Sequence, residues 1–233
     1  MKSEYTIHKN QSHVGWNMAI TPVKTIRSGA MVTFETLDAS GGQIGPHSNV
    51  SDVASLDFSK VNPVTGPVYV EGAEPGDALK ITILGFAPSG WGWTAIIPGF
   101  GLLADRFDKP ALHIWNYDPI TLEPAEYKPG GKVPLKPFPG TIGLAPDEEG
   151  ELSVVNPRRV GGNMDTRDIG VGTVLFLPVE VPGALLSVGD THAAQGDGEV
   201  CGTAIESPMD VSLRIELEKN VDLQFPHFNT PGP

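Results

Sequence analysis

The sequence predicts a mainly β protein, a sandwich- or barrel-like domain with few short helices. Glycine (28) and proline (22) are spread between short apolar runs along the 233 residues, as is typical of many short strands joined by turns. Several of these runs alternate apolar and polar residues, the period of a strand with one buried face. Helical periodicity is weak along the whole chain.

Four runs carry the strand prediction, in chain order. Residues 30–37 and 79–84 alternate, and residues 211–218 do so most clearly, with apolar odd-numbered and polar even-numbered positions. Residues 173–181 are almost continuously apolar but contain Pro178. Because proline cannot donate to a sheet ladder, we expect an edge or a bulge there.

Residues 51–58 are the one stretch that favours a helix, a short turn with Ser51 as the capping residue. Residues 127–140 are rich in proline and glycine. We therefore expect a single β domain over residues 1–233, or two β subdomains divided within 127–140.

Composition excludes several classes of protein. The net charge is −12, whereas binding a nucleic-acid backbone requires clustered lysine and arginine. The single cysteine, Cys201, excludes an internal disulfide. The N-terminus lacks the apolar core of a signal peptide, and no run approaches the ~18 apolar residues of a membrane span. We expect a cytoplasmic protein with neither nucleic-acid nor membrane partners.

Residues 187–206 hold the most informative polar run, between two predicted strands at 184–188 and 199–205. Positions 190 and 192 are two apart, so an extended backbone points both side chains the same way. A carboxylate beside an imidazole makes half of a Zn²⁺ site, or a base with its orienting partner. The alternative is a long acidic hairpin loop with solvated side chains. The polar members are Asp190, His192, Gln195, Asp197 and Glu199.

Two further segments offer candidate ligands. In the segment from Arg159 to Asp165, Asn163 and Asp165 either reach a substrate or metal or simply complete a tight turn. Glu35 lies on the polar face of the predicted strand 30–37, and Asp38 follows its end. A glutamate on an open strand face is more often solvated than functional.

Cys201 offers a rival chemistry, because thiolates serve as nucleophiles in some amidases. Its place in an alternating predicted strand favours a buried, inert thiol instead. Trp91 and Trp93 flank Gly92 and either wall a substrate pocket or pack in the core.

Taken together, four motifs resemble the acetamidase/formamidase family. They are Gly-Asp-Thr-His-Ala-Ala-Gln-Gly-Asp-Gly-Glu (189–199), Gly-Gly-Asn-Met-Asp (161–165), Asn-Pro-Val-Thr-Gly-Pro (62–67) and Gly-Ala-Glu-Pro-Gly-Asp (72–77). The first is specific; the proline–glycine turns are less so. The resemblance runs from about His13 to the end of the chain and implies hydrolysis of formamide- or acetamide-like amides by a mostly β protein with a divalent metal.

With this resemblance, the residues can be assigned roles in hydrolysis by metal-activated water. Zinc is the expected metal, with calcium the alternative, and a homodimer is the expected assembly. The expected metal ligands are Asp190, His192, Glu35 and Asp38; the expected catalytic residues are Glu199, Asp197 and Asn163; and the expected substrate contacts are Trp91, Trp93, Gln195 and Asp165.

This sequence is expected to be shorter than those of the family that it resembles. Members of the family are expected to continue past the position of Pro233 into a mixed α/β segment, whereas this sequence ends there. Two alternatives to the metal-dependent amidase therefore stay open. One is an amidase with Cys201 as nucleophile; the other is a shortened, non-catalytic β module that binds a small ligand or cation.

Overall fold

Strands account for most of the regular structure in this computed structural model, which describes residues 3–232. A short α-helix, α1 (Val50–Ala54), and a 3₁₀ turn (Phe58–Lys60) interrupt them. The strands are β1 (Tyr5–Ile7), β2 (Ser12–His13), β3 (Gly15–Trp16), β4 (Lys24–Ile26), β5 (Ala30–Glu35), β6 (Val64–Val70), β7 (Ala78–Pro88), β8 (Trp91–Ile96), β9 (Ala111–Asn116), β10 (Ala125–Lys128), β11 (Gly131–Val133), β12 (Phe138–Gly143), β13 (Leu152–Ser153), β14 (Gly161–Asn163), β15 (Val174–Pro178), β16 (Leu186–His192), β17 (Met209–Glu218) and β18 (His227–Asn229).

The first six-stranded sheet has the order β1-β5-β17-β7-β15-β18. Its central strand β17 pairs antiparallel with β5 on one side and β7 on the other. Along β17, residues from Met209 to Ile215 alternate between buried and partly exposed, which confirms the period-two prediction. The same alternation holds in β5.

The second sheet has the order β14-β12-β16-β6-β2, with β4 pairing parallel to β6. Strand β16 is internal, between β12 and β6, and all seven of its residues are buried. Its pairing with β12 extends to His192, whereas its pairing with β6 ends at Gly189.

One apolar core lies between the two sheets. Val32 and Ile81 of the first sheet share it with Val68, Ile142 and Leu186 of the second. Each fully buried side chain of this size contributes about 1.5–3 kcal/mol relative to leaving it exposed. The prediction of a mainly β, sandwich-like fold is confirmed. The division near 127–140 stays a prediction.

Three local expectations need correction or refinement. The N-cap of α1 is Asn49, not Ser51, because Asn49 accepts from Ser51 N while Asp52 completes a capping box. Pro178 ends β15, past the three residues that β18 covers, so it lies where the strand has a partner on one side only. The predicted strand at 199–205 is irregular chain, whereas β16 extends through His192. No helix in the described part of the chain is long and apolar enough to span a membrane.

Candidate metal centre

The C-terminal residues of β16 build the centre of the site. Asp190 and His192 are both buried, and Asp190 Oδ1 lies 3.3 Å from His192 Nε2. The two side chains therefore face the same cluster, as their spacing predicts. The sequence motif thus begins in a buried strand rather than in a solvated hairpin loop.

Three more carboxylates join this pair. Asp165 follows β14, Glu199 lies in the turn after β16, and Glu206 forms an isolated bridge with His192. Glu206 Oε2 lies 3.2 Å from His192 Nε2. Glu206 was absent from the residues selected on sequence, although an acid directly after Ala-Ile in an apolar segment was a usable signal.

The backbone at three of these acids is in the left-handed region. The φ angles are +46° at Asp165, +50° at Asp190 and +40° at Glu199. Non-glycine residues rarely adopt this conformation, and it persists where the surrounding structure enforces it, often at functional sites. The fold therefore accepts local strain in order to aim these carboxylates inward.

Gly140 of β12 makes the close approach possible. A Cβ at this position would lie 2.7 Å from Asp190 O, 2.8 Å from Asp165 Oδ1 and 2.8 Å from His192 Cε1. Such distances are shorter than real Cβ contacts allow. Only glycine lets Asp165 and His192 meet across β12.

Gln195 fixes the orientation of the His192 ring. Its Nε2 donates to Asp165 O at 2.9 Å, which turns its Oε1 toward His192 Nδ1 at 3.0 Å. The network therefore assigns the Nδ1 proton to a bond with Gln195, the arrangement of a metal-ligating histidine with an orienting partner. The opposite nitrogen, Nε2, faces the carboxylates of Asp190 and Glu206.

Neutral polar groups hold Asp190 in place. Asn62 Nδ2 donates to Asp190 Oδ2 at 3.2 Å, and the Thr141 hydroxyl lies 3.1 Å from the same oxygen. Thr141 also bonds Asn163 Oδ1 at 2.8 Å. Asn163 is thus part of the frame around Asp190 and also lines the adjoining cavity.

The cluster contains more negative charge than its own groups can neutralise. Burial, and then the charge of Asp190, raises the pKa of Asp165 to about 7. Burial and the nearby Glu206 raise the pKa of Glu199 to about 8. Burial alone would lower the pKa of His192, but the carboxylates of Glu206 and Asp190 outweigh it and raise that pKa well above its usual value. The site therefore attracts a cation, either protons or a metal.

The donor set fits a divalent metal. Ligand atoms of Asp165, Asp190 and His192 lie within 4.8 Å of one another, and so do those of His192, Glu199 and Glu206. Asp165 Oδ1 and Glu206 Oε2 are buried without a hydrogen-bond partner among residues 3–232; the 3.2 Å contact of Glu206 with His192 lacks hydrogen-bond geometry. One imidazole nitrogen with several carboxylate oxygens suits zinc, and its oxygen-rich part also suits calcium.

The raised pKa values predict how the stability of the metal-free protein depends on pH. The carboxyls of Asp165 and Glu199 start from 3.8 and 4.5 in the unfolded chain and stay protonated in the folded protein to about 7 and about 8. Because the folded state binds more protons across this window, stability falls as pH rises from about 4 to about 8. The raised pKa of His192 acts in the same direction.

Denaturant titrations at pH 5 and pH 8 measure this effect. We expect the free energy of unfolding of the metal-free protein to be lower at pH 8 by several kcal/mol, since each of the two carboxyls contributes at least ~2 kcal/mol. The double variant Asp165→Asn, Glu199→Gln should flatten the dependence. Equal stability of the wild-type protein at both pH values would contradict this charge balance.

A cavity of about 290 Å³ opens onto these acids. Asp165, Asp190, Glu199 and Glu206 line it together with Asn62 and Asn163, and the rest of the lining is largely apolar. Trp93 lines this cavity and also belongs to a small buried hydrophobic cluster. A ligand in this cavity contacts the acidic cluster directly.

Two expected metal ligands lie outside the cluster. Glu35 is on the first sheet, where its carboxylate pairs with His8 at 3.1 Å. Asp38 is buried but saturated, since it accepts from Trp93 Nε1 at 2.9 Å, Ser40 N at 2.9 Å and Gly42 N at 3.0 Å. Neither carboxylate lines the cavity of the acidic cluster, and Asp38 instead orients the Trp93 wall.

Three other selected residues also lie apart from the acidic cluster. Trp91 lines a different cavity, next to Glu35. Asp197 is exposed and pairs with Arg167 at 3.1 Å. Together with Cys201 it lines a neighbouring apolar cavity of about 400 Å³, which also touches Glu199.

Fold and site together define a class, β-sandwich proteins with a buried imidazole surrounded by carboxylates. The chain belongs to the Acetamidase/Formamidase family: the family's sequence profile matches residues 1–153 and 148–232. An acetamidase structure from Bacillus halodurans is 37% identical, with a TM-score of 0.89 over 97% of this chain and 74% of that one. A gamma lactamase from Delftia acidovorans is 28% identical, with a TM-score of 0.91 over 98% of this chain and 72% of that one.

The curated relatives are longer than this chain. A formamidase from Methylophilus methylotrophus is 28% identical over 270 residues, which take in 90% of this chain and 65% of the relative. The chain spans slightly less than two thirds of the length of the curated relatives it matches. Since 270 aligned residues exceed the 233 of this chain, the relative carries extra residues inside the aligned region. The two matched blocks of the family profile meet at residues 148–153.

Proposed function

We propose that this chain is an amidohydrolase that converts a primary amide and water into a carboxylate and ammonia. The observation that carries the proposal is the position of His192 Nε2, buried and facing Asp190 and Glu206, at the wall of a ligand-sized cavity. The names of the relatives, formamidase and acetamidase, support the choice of a short amide as substrate.

The metal proposal revises the ligand set chosen from sequence. Asp190 and His192 remain, and Asp165 and Glu206 take the places of Glu35 and Asp38, because their unpaired oxygens point into the cluster. When bound, a divalent ion such as zinc supplies Lewis acidity and lowers the pKa of water toward 7. Gln195 keeps His192 Nδ1 protonated, so that Nε2 stays available as a ligand.

Glu199 is the proposed proton carrier. It lines the cavity, and burial together with nearby acids raises the pKa of its carboxyl to about 8. A group near the working pH can both accept and return a proton. The Glu199 carboxylate takes a proton from water, the water oxygen attacks the amide carbon, and the same carboxyl returns the proton to the departing nitrogen as the C–N bond breaks.

Asn163 and Trp93 orient the substrate in this scheme. Asn163 Nδ2 uses one hydrogen to donate to Val155 O at 3.2 Å, which leaves the other for the amide oxygen. That hydrogen bond strengthens as negative charge develops on this oxygen. Trp93, held by Asp38, gives the flat amide an apolar wall.

Removal of divalent metal tests the mechanism. We expect the chelated protein, verified as metal-free, to lose at least 99% of its ammonia release from formamide and acetamide, a loss of about 100-fold or more. Adding back zinc, and separately calcium, should restore it and identify the ion. Full turnover by a metal-free sample would exclude metal-assisted hydrolysis.

Substitution of Cys201 tests the rival mechanism, in which its thiol is the nucleophile. Its Sγ lies 3.3 Å from Thr203 O and lines the neighbouring cavity rather than the one that holds the acids. We expect Cys201→Ala to keep ammonia release within about twofold of wild type, because the thiol takes no part. A loss of 100-fold or more, with the metal content unchanged, would favour the thiol route.

Three other sequence-based expectations stay predictions. Ammonia release by the purified chain would exclude the non-catalytic β module, whereas amide or metal binding without turnover would favour it. Sedimentation or gel filtration measures the predicted homodimer. The cytoplasmic location needs localisation in cells.

A further inference from the structure

The cavity that holds the acidic cluster is larger than a formyl or acetyl amide requires. Its volume is about 290 Å³. Acetamide has four non-hydrogen atoms and needs roughly 100 Å³, about three times the ~30 Å³ share of a water molecule in the liquid. Most of the cavity would therefore remain to be filled by water or by a longer substrate.

The lining of the unused part is apolar. Leu56 and Ile97 belong to, or pack against, a small hydrophobic cluster beside the site. Phe58 and Phe100 meet edge to face with ring centroids 6.1 Å apart. With Val61, these side chains make up much of the apolar lining of the cavity. Water gains little from such a surface, whereas an alkyl or phenyl group is stabilised by leaving water for it.

Val155 also lines the cavity and accepts a hydrogen bond from Asn163 Nδ2 at 3.2 Å.

We infer that the acyl group of the substrate is apolar and several carbons long, and that it lies against Leu56, Phe58, Val61, Ile97 and Phe100 while the amide group contacts the acidic cluster. This inference rests on the proposed amidase function and extends its substrates beyond short amides to amides of medium-chain or phenyl-substituted acids. The charge of the cavity is compatible with such a substrate, because a neutral amide with an apolar tail brings no additional negative charge to the acids.

A series of linear primary amides from formamide to hexanamide tests the inference with the metal-loaded protein. Each methylene group buried against the apolar wall should raise kcat/KM about fourfold, equivalent to ~0.8 kcal/mol, until the cavity is full. Values that stay flat or fall beyond acetamide would overturn the inference and leave the amidase function intact.

Two variants and one control locate the acyl site. Phe58→Ala should lower the ratio of hexanamide to formamide kcat/KM about tenfold. Phe107→Ala is the matched control, because Phe107 has the same 52% exposure but lines only the neighbouring cavity, and it should leave the ratio unchanged. Leu56→Trp, which fills the apolar part, should reduce hexanamide turnover more than acetamide turnover. If the ratio of hexanamide to formamide kcat/KM fell in Phe107→Ala and not in Phe58→Ala, the assignment would be overturned.

Measurements of amide binding test this inference independently of the proposed amidase activity. If no amide yields ammonia, the amidase proposal fails, and calorimetric titration with hexanamide and formamide still tests the cavity. Hexanamide binding that is at least tenfold tighter, and weakened by Phe58→Ala, would support the apolar site. Equal binding of the two amides would overturn it.

Discussion

Glu206→Gln is expected to abolish ammonia release and at the same time to stabilise the metal-free protein. Glu206 is buried within 3.2 Å of His192 Nε2 and shares the site with Asp165, Asp190 and Glu199. Loss of one carboxylate from the proposed ligand set should lower activity at least 10³-fold, about 4 kcal/mol in the barrier. It also removes negative charge from a cluster in which burial and repulsion raise the pKa of Glu206 itself.

The stability change gives this substitution its diagnostic value. Glutamine can keep the bond in which Oε1 of residue 206 accepts from Ala204 N at 2.7 Å. We expect the free energy of unfolding of the metal-free variant to rise by about 1 kcal/mol at pH 8, the exchange of function for stability that strained sites show. Denaturant titration, metal analysis and the ammonia assay measure the three effects.

Glu35→Gln is the control for this experiment. Glu35 was a ligand candidate on sequence but pairs with His8 away from the cluster, so its substitution should leave metal content and turnover within about twofold of wild type. Wild-type activity in Glu206→Gln, or loss of metal in Glu35→Gln, would contradict the ligand set built on Asp165, Asp190, His192 and Glu206.

Gly140→Ala is expected to disable the site through geometry alone. The new methyl group would lie 2.7 Å from Asp190 O and 2.8 Å from both Asp165 Oδ1 and His192 Cε1. The Asp190 contact involves backbone in an internal strand, so it cannot move cheaply. We expect metal affinity and kcat to fall at least 100-fold, and the protein to lose about 1–3 kcal/mol of stability, as overpacked cores do.

Gly196→Ala is the matched control for that substitution. Gly196 belongs to the family motif at 189–199. No heavy atom lies within 4 Å of the position that its new methyl group would take, and its φ is not in the left-handed region. The variant should fold, bind metal and turn over like the wild type. Metal titration and thermal unfolding of both variants test the comparison, and undiminished metal binding by Gly140→Ala would remove Gly140 from the description of the site.

Local pattern was sufficient for the fold class and indicated the middle of the site. The alternation in residues 211–218 identifies a strand with one buried face, because period two is a property of the extended backbone itself. Asp190 and His192 do lie together as expected, but the backbone at Asp190 is left-handed rather than extended, so spacing alone does not account for their contact. The motif at 189–199 also indicated the family, because its sequence resembles that of acetamidases and formamidases.

Tertiary structure alone decided which other acids lie beside Asp190 and His192. The residue after Glu35, Thr36, contacts Thr191 of the motif, but the Glu35 carboxylate pairs with His8 instead of joining the cluster. Glu206 is brought to His192 by an isolated bridge that no local periodicity encodes. Asp165 reaches the site because β14 pairs with β12 and Gly140 leaves room for its carboxylate. Sequence determines the direction of a side chain within its own strand. The pairing of strands far apart in the chain sets which side chains share one cavity, since it depends on packing of the whole sandwich.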